Sequence, residues 1–149
     1  MEGLMSTVKI AVIGGDRRQA VLASLLAEDG YECAVYGLDG ANIGGATKCA
    51  DIESAIEGAE AVILPLPVSR NGKTVNAPLY TGDISINTIN TLAPQYVPFL
   101  GGMIKEKDFP GRTVRDYYKE EELQVLNTVP TAEGAVAIAM NEMPTTING

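Results

Sequence analysis

The stretch Val8 to Ile13 (VKIAVI), apolar and β-branched almost without a break, stops at Gly14-Gly15 and gives way to a helical pattern. Alternate side chains of a strand point to opposite sides of its sheet, so a short continuous apolar run suits a strand buried on both faces. Strands of that kind belong to sheets covered by helices, which restricts the chain to the α/β class. The next residues agree. Asp16 stands where a helix cap belongs, with Gln19 three residues on to close a capping box. Val21, Leu22, Leu25 and Leu26 form one helical stripe, and Gly30 is a stop signal. Cys33 to Tyr36 (CAVY) predicts a second strand, Asp51 to Ile56 a short helix, and Ala61 to Leu64 (AVIL) a third strand ended by Pro65 and Pro67. Strand, helix, strand, helix, strand in this order predicts a doubly wound parallel sheet in a three-layer α/β domain.

Composition narrows the function. At 149 residues the chain has the size of one domain. Only 5% of residues are aromatic and Trp is absent, so Val, Ile, Leu and Ala must build the core. The net charge of -8 opposes non-specific binding to nucleic acid. No apolar run approaches the about 20 residues of a membrane span, and no basic-then-apolar leader opens the chain. Cys33 and Cys49 stand in no metal-ligand spacing, so no metal is expected and a reducing, cytoplasmic compartment is. There is no His, which removes the commonest general base and any Ser-His or Cys-His nucleophile pair.

The second half is less regular. Residues 65–83 are rich in Pro, Gly, Asn, Ser and Thr, and a connection of that length is more often a functional loop than a spacer. Ile84 to Leu92 predicts a short helix, Val97 to Leu100 a fourth strand ending at Gly101-Gly102, and Asp116 to Glu122 a polar helix. Gln124 to Asn127 predicts a fifth strand. After Pro130, Thr131 to Met140 has helical periodicity with Ala135, Ile138 and Ala139 on its apolar side.

A strand ending in Gly-Gly before a helix invites a dinucleotide site, with Asp39 as the ribose-binding acid. The spacing fits poorly. Counted from Gly14, the third and sixth positions of the G-x-G-x-x-G pattern hold Asp16 and Gln19; counted from Gly15, they hold Arg17 and Ala20. Arg17 and Arg18 say more. Cations in the first turn of a helix face the positive end of its dipole, so they are either solvated charges or the fork of an anion site. Pro65 to Arg70 leaves the carboxyl end of a strand, where ligands bind in open α/β sheets, or is a rigid turn that redirects the chain. In Thr128 to Gly134, Glu133 either complements a helix dipole or serves as a carboxylate general base.

Three stretches together, Ile10 to Gln19 (IAVIGGDRRQ), Ile63 to Ser69 (ILPLPVS) and Asn127 to Gly134 (NTVPTAEG), resemble the N-terminal domain of the dipicolinate synthase A subunit. The resemblance covers essentially the whole chain. It implies a flavodoxin/Rossmann-like domain forming the substrate-side wall of a cleft, and Thr145 to Gly149 look like the lead into a second, NADP-binding Rossmann domain absent from this chain. It further implies an NADP-dependent oxidoreductase which, with a flavoprotein B subunit, makes dipicolinate from a dihydrodipicolinate-type intermediate during sporulation. Gly14, Gly15, Asp16, Arg17, Arg18 and Gln19 match the first motif, Pro65 to Ser69 the second, and Asn127, Pro130, Thr131, Glu133 and Gly134 the third. Chemistry then suggests Asp16 and Glu133 as acid/base candidates. A dicarboxylate substrate would be held by Gly14, Gly15, Arg17, Arg18, Gln19, Pro67, Ser69 and Thr131. No cofactor is expected in this chain itself, and the exposed cleft wall favours a homodimer. A non-catalytic module that senses a small anion or docks a partner is the alternative.

Overall fold

A computed structural model of the chain describes residues 8–117. Five parallel pairings join six strands: β1 (Lys9–Ile13), β2 (Glu32–Tyr36), β3 (Thr47–Lys48), β4 (Ala61–Ile63), β5 (Phe99–Gly101) and β6 (Val114–Asp116). Their order across the sheet is β3-β2-β1-β4-β5-β6. Of the two common doubly wound orders this is the Rossmann one, in which the chain reverses direction across the sheet between β1 and β4. Three helices accompany the strands: α1 (Arg17–Glu28), α2 (Ile52–Ile56) and α3 (Ile86–Leu92).

The pleat sorts the strand residues into two cores. Ile10, Val12, Cys33, Val35, Ala61, Ile63 and Leu100 pack with Ala20, Leu22, Ala23 and Leu26 of α1. Ala11, Ile13, Ala34, Val62, Leu64 and Phe99 face the other way, onto Ala55 and Ile56 of α2 and Ile86 and Ile89 of α3. Both faces of β1 are therefore covered, which is why its sequence is apolar at consecutive positions rather than alternating. Burial pushes the Cys33 thiol up to about 12, so it behaves as a small core hydrophobe.

Several expectations change on contact with the tertiary structure. Val21 is not on the buried stripe of α1; it is 54% exposed, and Gln19, Ala20 and Ala23 join Leu22 and Leu26 inside. Gln19 does not turn back on the cap as a capping box would have it, because its amide Nε2 donates across to the Ile63 carbonyl at 3.5 Å. Helix α3 starts later than the apolar pattern suggests. Val75 N donates to Ile84 O at 2.8 Å and Ile86 N to Lys73 O at 3.0 Å, so Ser85 sits in an antiparallel bridge with Thr74 and also caps the helix. Asp116, expected to open a polar helix, is the last residue of β6 and pairs with Gly101. Tyr117 follows in a turn, and residues 118–122 of that expected helix, the strand at Gln124 to Asn127 and the helix at Thr131 to Met140 lie outside the described residues, as do Thr131 and Glu133. Among the described residues no helix is long and apolar enough to cross a membrane.

Candidate functional site

All strands are parallel, so the loops that leave β1, β2, β4 and β5 gather at one edge of the sheet. In such sheets the reversal between β1 and β4 marks the usual ligand position. Gly14 and Gly15 lie buried there with φ of 69° and 96°, a left-handed conformation that side chains rarely adopt. Space also demands glycine: a Cβ on Gly15 would lie 2.2 Å from Gln19 Cγ and 3.0 Å from Pro65 Cβ. The buried Gln19 thus wedges α1 against the end of β4 directly beneath the turn.

Asp16 caps α1, its Oδ1 accepting from Arg18 N at 2.9 Å. The same carboxylate holds the Arg18 side chain through Nε and Nη2, both at 3.1 Å. Nη2 also donates to the Leu66 carbonyl at 3.1 Å, tying the loop after β1 to the loop after β4. Burial pushes the Asp16 carboxyl up, but the hydrogen bonds and charge of Arg18 outweigh this and hold it below the ordinary aspartate value. A carboxylate so held is a poor proton donor near neutrality. Arg17 is exposed and has no hydrogen bond or ion pair among the described residues.

The loop after β4 is a built structure rather than a slack lid. The Leu66-Pro67 peptide is cis. Val68 N donates to Gly102 O and Gly102 N to Pro65 O, both at 3.0 Å, extending the β4–β5 ladder into the loops. A Cβ on Gly102 would lie 2.2 Å from Leu66 Cδ1, and one on Gly101 2.3 Å from Val68 Cγ2. Further on, Ser69 Oγ accepts from Gly72 N at 2.8 Å and Asn71 N at 3.3 Å, while Asn71 Oδ1 accepts from Lys73 N at 2.8 Å and Thr74 N at 2.9 Å. Ser69 therefore shapes the loop with the hydroxyl that sequence reasoning offered to a ligand. Tyr117 supports the start of this loop, its Oη donating to Leu64 O at 3.0 Å, and burial pushes its phenol strongly upward.

The strap Val75 to Ala77 then crosses the glycine turn. Gly15 N donates to Asn76 O at 2.9 Å, and Gly14 N to Tyr36 O at 2.8 Å. A Cβ on Gly14 would meet Val75 Cγ1 at 2.8 Å and Asn76 O at 3.3 Å. In a dinucleotide site the pyrophosphate passes over this turn and takes the free N–H groups of the turn and the helix start. Here those of Gly14, Gly15 and Arg18 already have protein acceptors, and a backbone carbonyl covers the turn. Asp39 is exposed beyond β2 as a ribose-binding acid would be, but the phosphate position between it and α1 is closed. The residues do not fit a dinucleotide.

Of the residues named from sequence, the structure brings Gly14, Gly15, Asp16, Arg18, Gln19 and the Pro65–Pro67 turn into one contact network. Sequence reasoning missed Asn76, Gly102 and Tyr117. Each contributes through a partner far along the chain, so no local pattern marks it. A second depression, ≈ 300 Å³ and lined by Ile56, Gly58, Leu92 and Pro94, lies between the carboxyl ends of α2 and α3, at the opposite edge of the sheet.

Comparison with known proteins gives the family. The family model for the N-terminal domain of the dipicolinate synthase A subunit matches residues 9–126. The dipicolinate synthase A subunit of Bacillus subtilis (strain 168) is 22% identical over 160 residues, covering 98% of this chain and 52% of that protein. The crystal structure of the dipicolinate synthase A chain from Bacillus subtilis matches with a TM-score of 0.69 at 22% identity, over 95% of this chain and 50% of that one. That of the corresponding protein from Bacillus halodurans matches with a TM-score of 0.68 at 22% identity, over 93% and 50%. The chain thus spans about half the length of these relatives, and the two crystal structures share its fold. With the family model matching across most of its length, the chain belongs to the family of dipicolinate synthase A subunit N-terminal domains.

Proposed function

We propose that this domain is the substrate-side wall of a dipicolinate synthase. In that reading it works with a flavoprotein B subunit and with NADP held by a second domain outside this chain. Together they oxidise a dihydrodipicolinate-type intermediate to dipicolinate during sporulation. NADP would supply the two-electron acceptor for that oxidation, and a base would be needed for the proton that leaves the ring. The domain's share is to hold the dicarboxylate at the strand-end crevice. Family membership supports the reaction, and the closed glycine turn supports placing the nucleotide elsewhere.

The observation that carries the wall is the contrast between two neighbouring arginines. Arg18 is paired with Asp16 and anchored to Leu66, whereas Arg17, at the start of α1, is exposed and has no hydrogen bond or ion pair among the described residues. The whole chain carries -8, so an anionic substrate is attracted only locally. An open guanidinium next to a helix start supplies that attraction through two parallel hydrogen bonds. Asp16, anionic and paired, positions Arg18 rather than moving a proton. Glu133, outside the described residues, is then the general base of the proposal.

The test is Arg17→Ala in the complete two-domain protein, assayed with its flavoprotein partner and NADP. Loss of a charge-assisted hydrogen bond worth about 1.5–3 kcal/mol should raise KM about 10-fold or more, with Arg17→Lys restoring part of it. An unchanged KM in a folded Arg17→Ala protein would make Arg17 a surface charge and the proposal wrong.

A further inference from the structure

We infer that Arg70 is the second carboxylate-binding arm of this crevice and sets its preference for dicarboxylates over monocarboxylates. The inference rests on the substrate-wall reading above and names the group that would hold the second charge. A dicarboxylate needs two cationic or strongly donating positions. Arg17 supplies one. The obvious partners, Arg18 and Ser69, are engaged: Arg18 has Nε and Nη2 taken by Asp16 and Leu66, which leaves only Nη1, and Ser69 serves its own loop.

Arg70 is exposed, and its Nε makes one long hydrogen bond, 3.4 Å, to Asn76 Oδ1. Both terminal nitrogens of its guanidinium are left without a partner among the described residues, so the end-on fork is open to a carboxylate. No carboxylate among the described residues pairs with it. Asn76 is also the residue whose carbonyl accepts from Gly15 N at 2.9 Å, and its own N donates to Val68 O at 2.8 Å. One asparagine therefore buckles the Arg70 stem, the glycine turn and the end of the β4 loop into a single unit. The segments bearing Arg17 and Arg70 meet at Gly15, one continuing into α1 and the other coming from the strap.

Rigidity strengthens the case. Arg70 sits between Ser69 and Asn71, whose side chains accept backbone N–H groups on the same short loop. Its backbone is thereby fixed before any ligand arrives, which lowers the ordering cost of binding.

The experiment titrates the 149-residue chain with dipicolinate and, separately, with picolinate, which has one carboxylate. Amide shifts of Gly14, Gly15 and Asn76 locate the ligand, and the dissociation constants come from the same titrations. Arg70→Ala should raise the Kd for dipicolinate about 10-fold or more, as expected for loss of a charge-assisted contact, and change that for picolinate far less. Arg70→Lys should recover only part, since an ammonium lacks the fork. If Arg70→Ala, with its amide spectrum otherwise native, binds dipicolinate as the wild type does while Arg17→Ala does not, Arg70 is not the arm and the wall reading stands. If the wild-type chain shows no saturable dipicolinate shifts at Gly14 to Asp16, the wall reading fails and takes this inference with it.

Discussion

The backbone carbonyl of Asn76 accepts the Gly15 amide at 2.9 Å, so an internal strap occupies the place where a Rossmann sheet usually receives a phosphate. The sheet order and the glycine turn are those of a nucleotide site. The hydrogen bonds are not. The sheet order is that of dinucleotide-binding domains, while the turn is covered by the chain's own strap.

NADP should accordingly bind this chain weakly or not at all. Calorimetric titration is the check, and a micromolar dissociation constant would contradict the closed turn. Gly15→Ala should not open the site but damage it. Its Cβ would collide with Gln19 Cγ at 2.2 Å, and a φ of 96° strains any L side chain. A loss of about 1–3 kcal/mol in urea unfolding is expected, with no gain in nucleotide affinity.

Asp16→Ala should cost about 0.5–2 kcal/mol through the lost helix cap, measured by chemical unfolding. Asp16→Asn should keep most of the cap but release Arg18. The sign of the pH effect follows from the lowered folded-state pKa. The ionised carboxylate contributes stability above the ordinary aspartate value of 3.8, and that contribution is lost as pH falls from there through the lower folded value. Asp16→Asn should flatten this part of the acid unfolding curve. A wild-type slope in the variant would show that the ion pair contributes nothing measurable.

Tyr36 and Tyr80 join their hydroxyls at 2.7 Å with ring centres 5.3 Å apart, linking the end of β2 to the long β4 loop. The hydrogen bond that the Tyr36 hydroxyl makes with Tyr80, with burial and the nearby charges, pushes the Tyr36 phenol up from 10.0 to about 12. The neutral form is favoured in the folded state, so its stabilisation is complete below pH 10.0 and is lost as pH rises towards about 12. Phenolate absorbance should show Tyr36 titrating late alongside the buried Tyr117, and Tyr80→Phe should bring Tyr36 alone back towards the ordinary value. An unshifted titration in the wild type would contradict the pair.

Arg112 lies with its guanidinium 4.1 Å over the Phe99 ring, buried to 6% exposure. All its N–H groups are accounted for. Nε donates to Asn90 Oδ1, Nη1 to Pro94 O and Val97 O, and Nη2 to Asn90 O and Ala93 O. The charge is balanced by carbonyls at the end of α3 and by the ring face rather than by a carboxylate. Burial pushes its pKa down. Arg112→Met should leave several of those carbonyls unpaired and cost about 2–4 kcal/mol in denaturant unfolding. Arg112→Lys should restore little, because three donors cannot replace a planar fork. If Arg112→Lys proved as stable as the wild type, the fork geometry would be irrelevant.

Apart from β3, the elements from β1 to β4 follow from local chemistry. Apolar runs at Val8 to Ile13 and Ala61 to Leu64 must be covered on both faces. Asp16 and Asp51 cap helices with their own side chains, and Gly30 ends α1, so short-range physics suffices there. The turns at Gly14 to Asp16 and Pro65 to Pro67 were legible for the same reason, as strand ends closed by Gly and Pro. Tertiary structure alone decided the rest. Strands β3 and β6 have two and three residues and carry no apolar period; they exist because β2 and β5 offer them free edges. Gln19 turns inward because the Ile63 carbonyl and the space under Gly15 are there to receive it. Which arginine is open and which is closed depends on Asp16 and Leu66 meeting across the sheet edge, and Asn76 reaches Gly15 only once the whole β4 loop has folded back. Hydrogen bonds between residues distant in sequence leave no periodic trace, and they are what covered a nucleotide-type turn with the chain's own backbone.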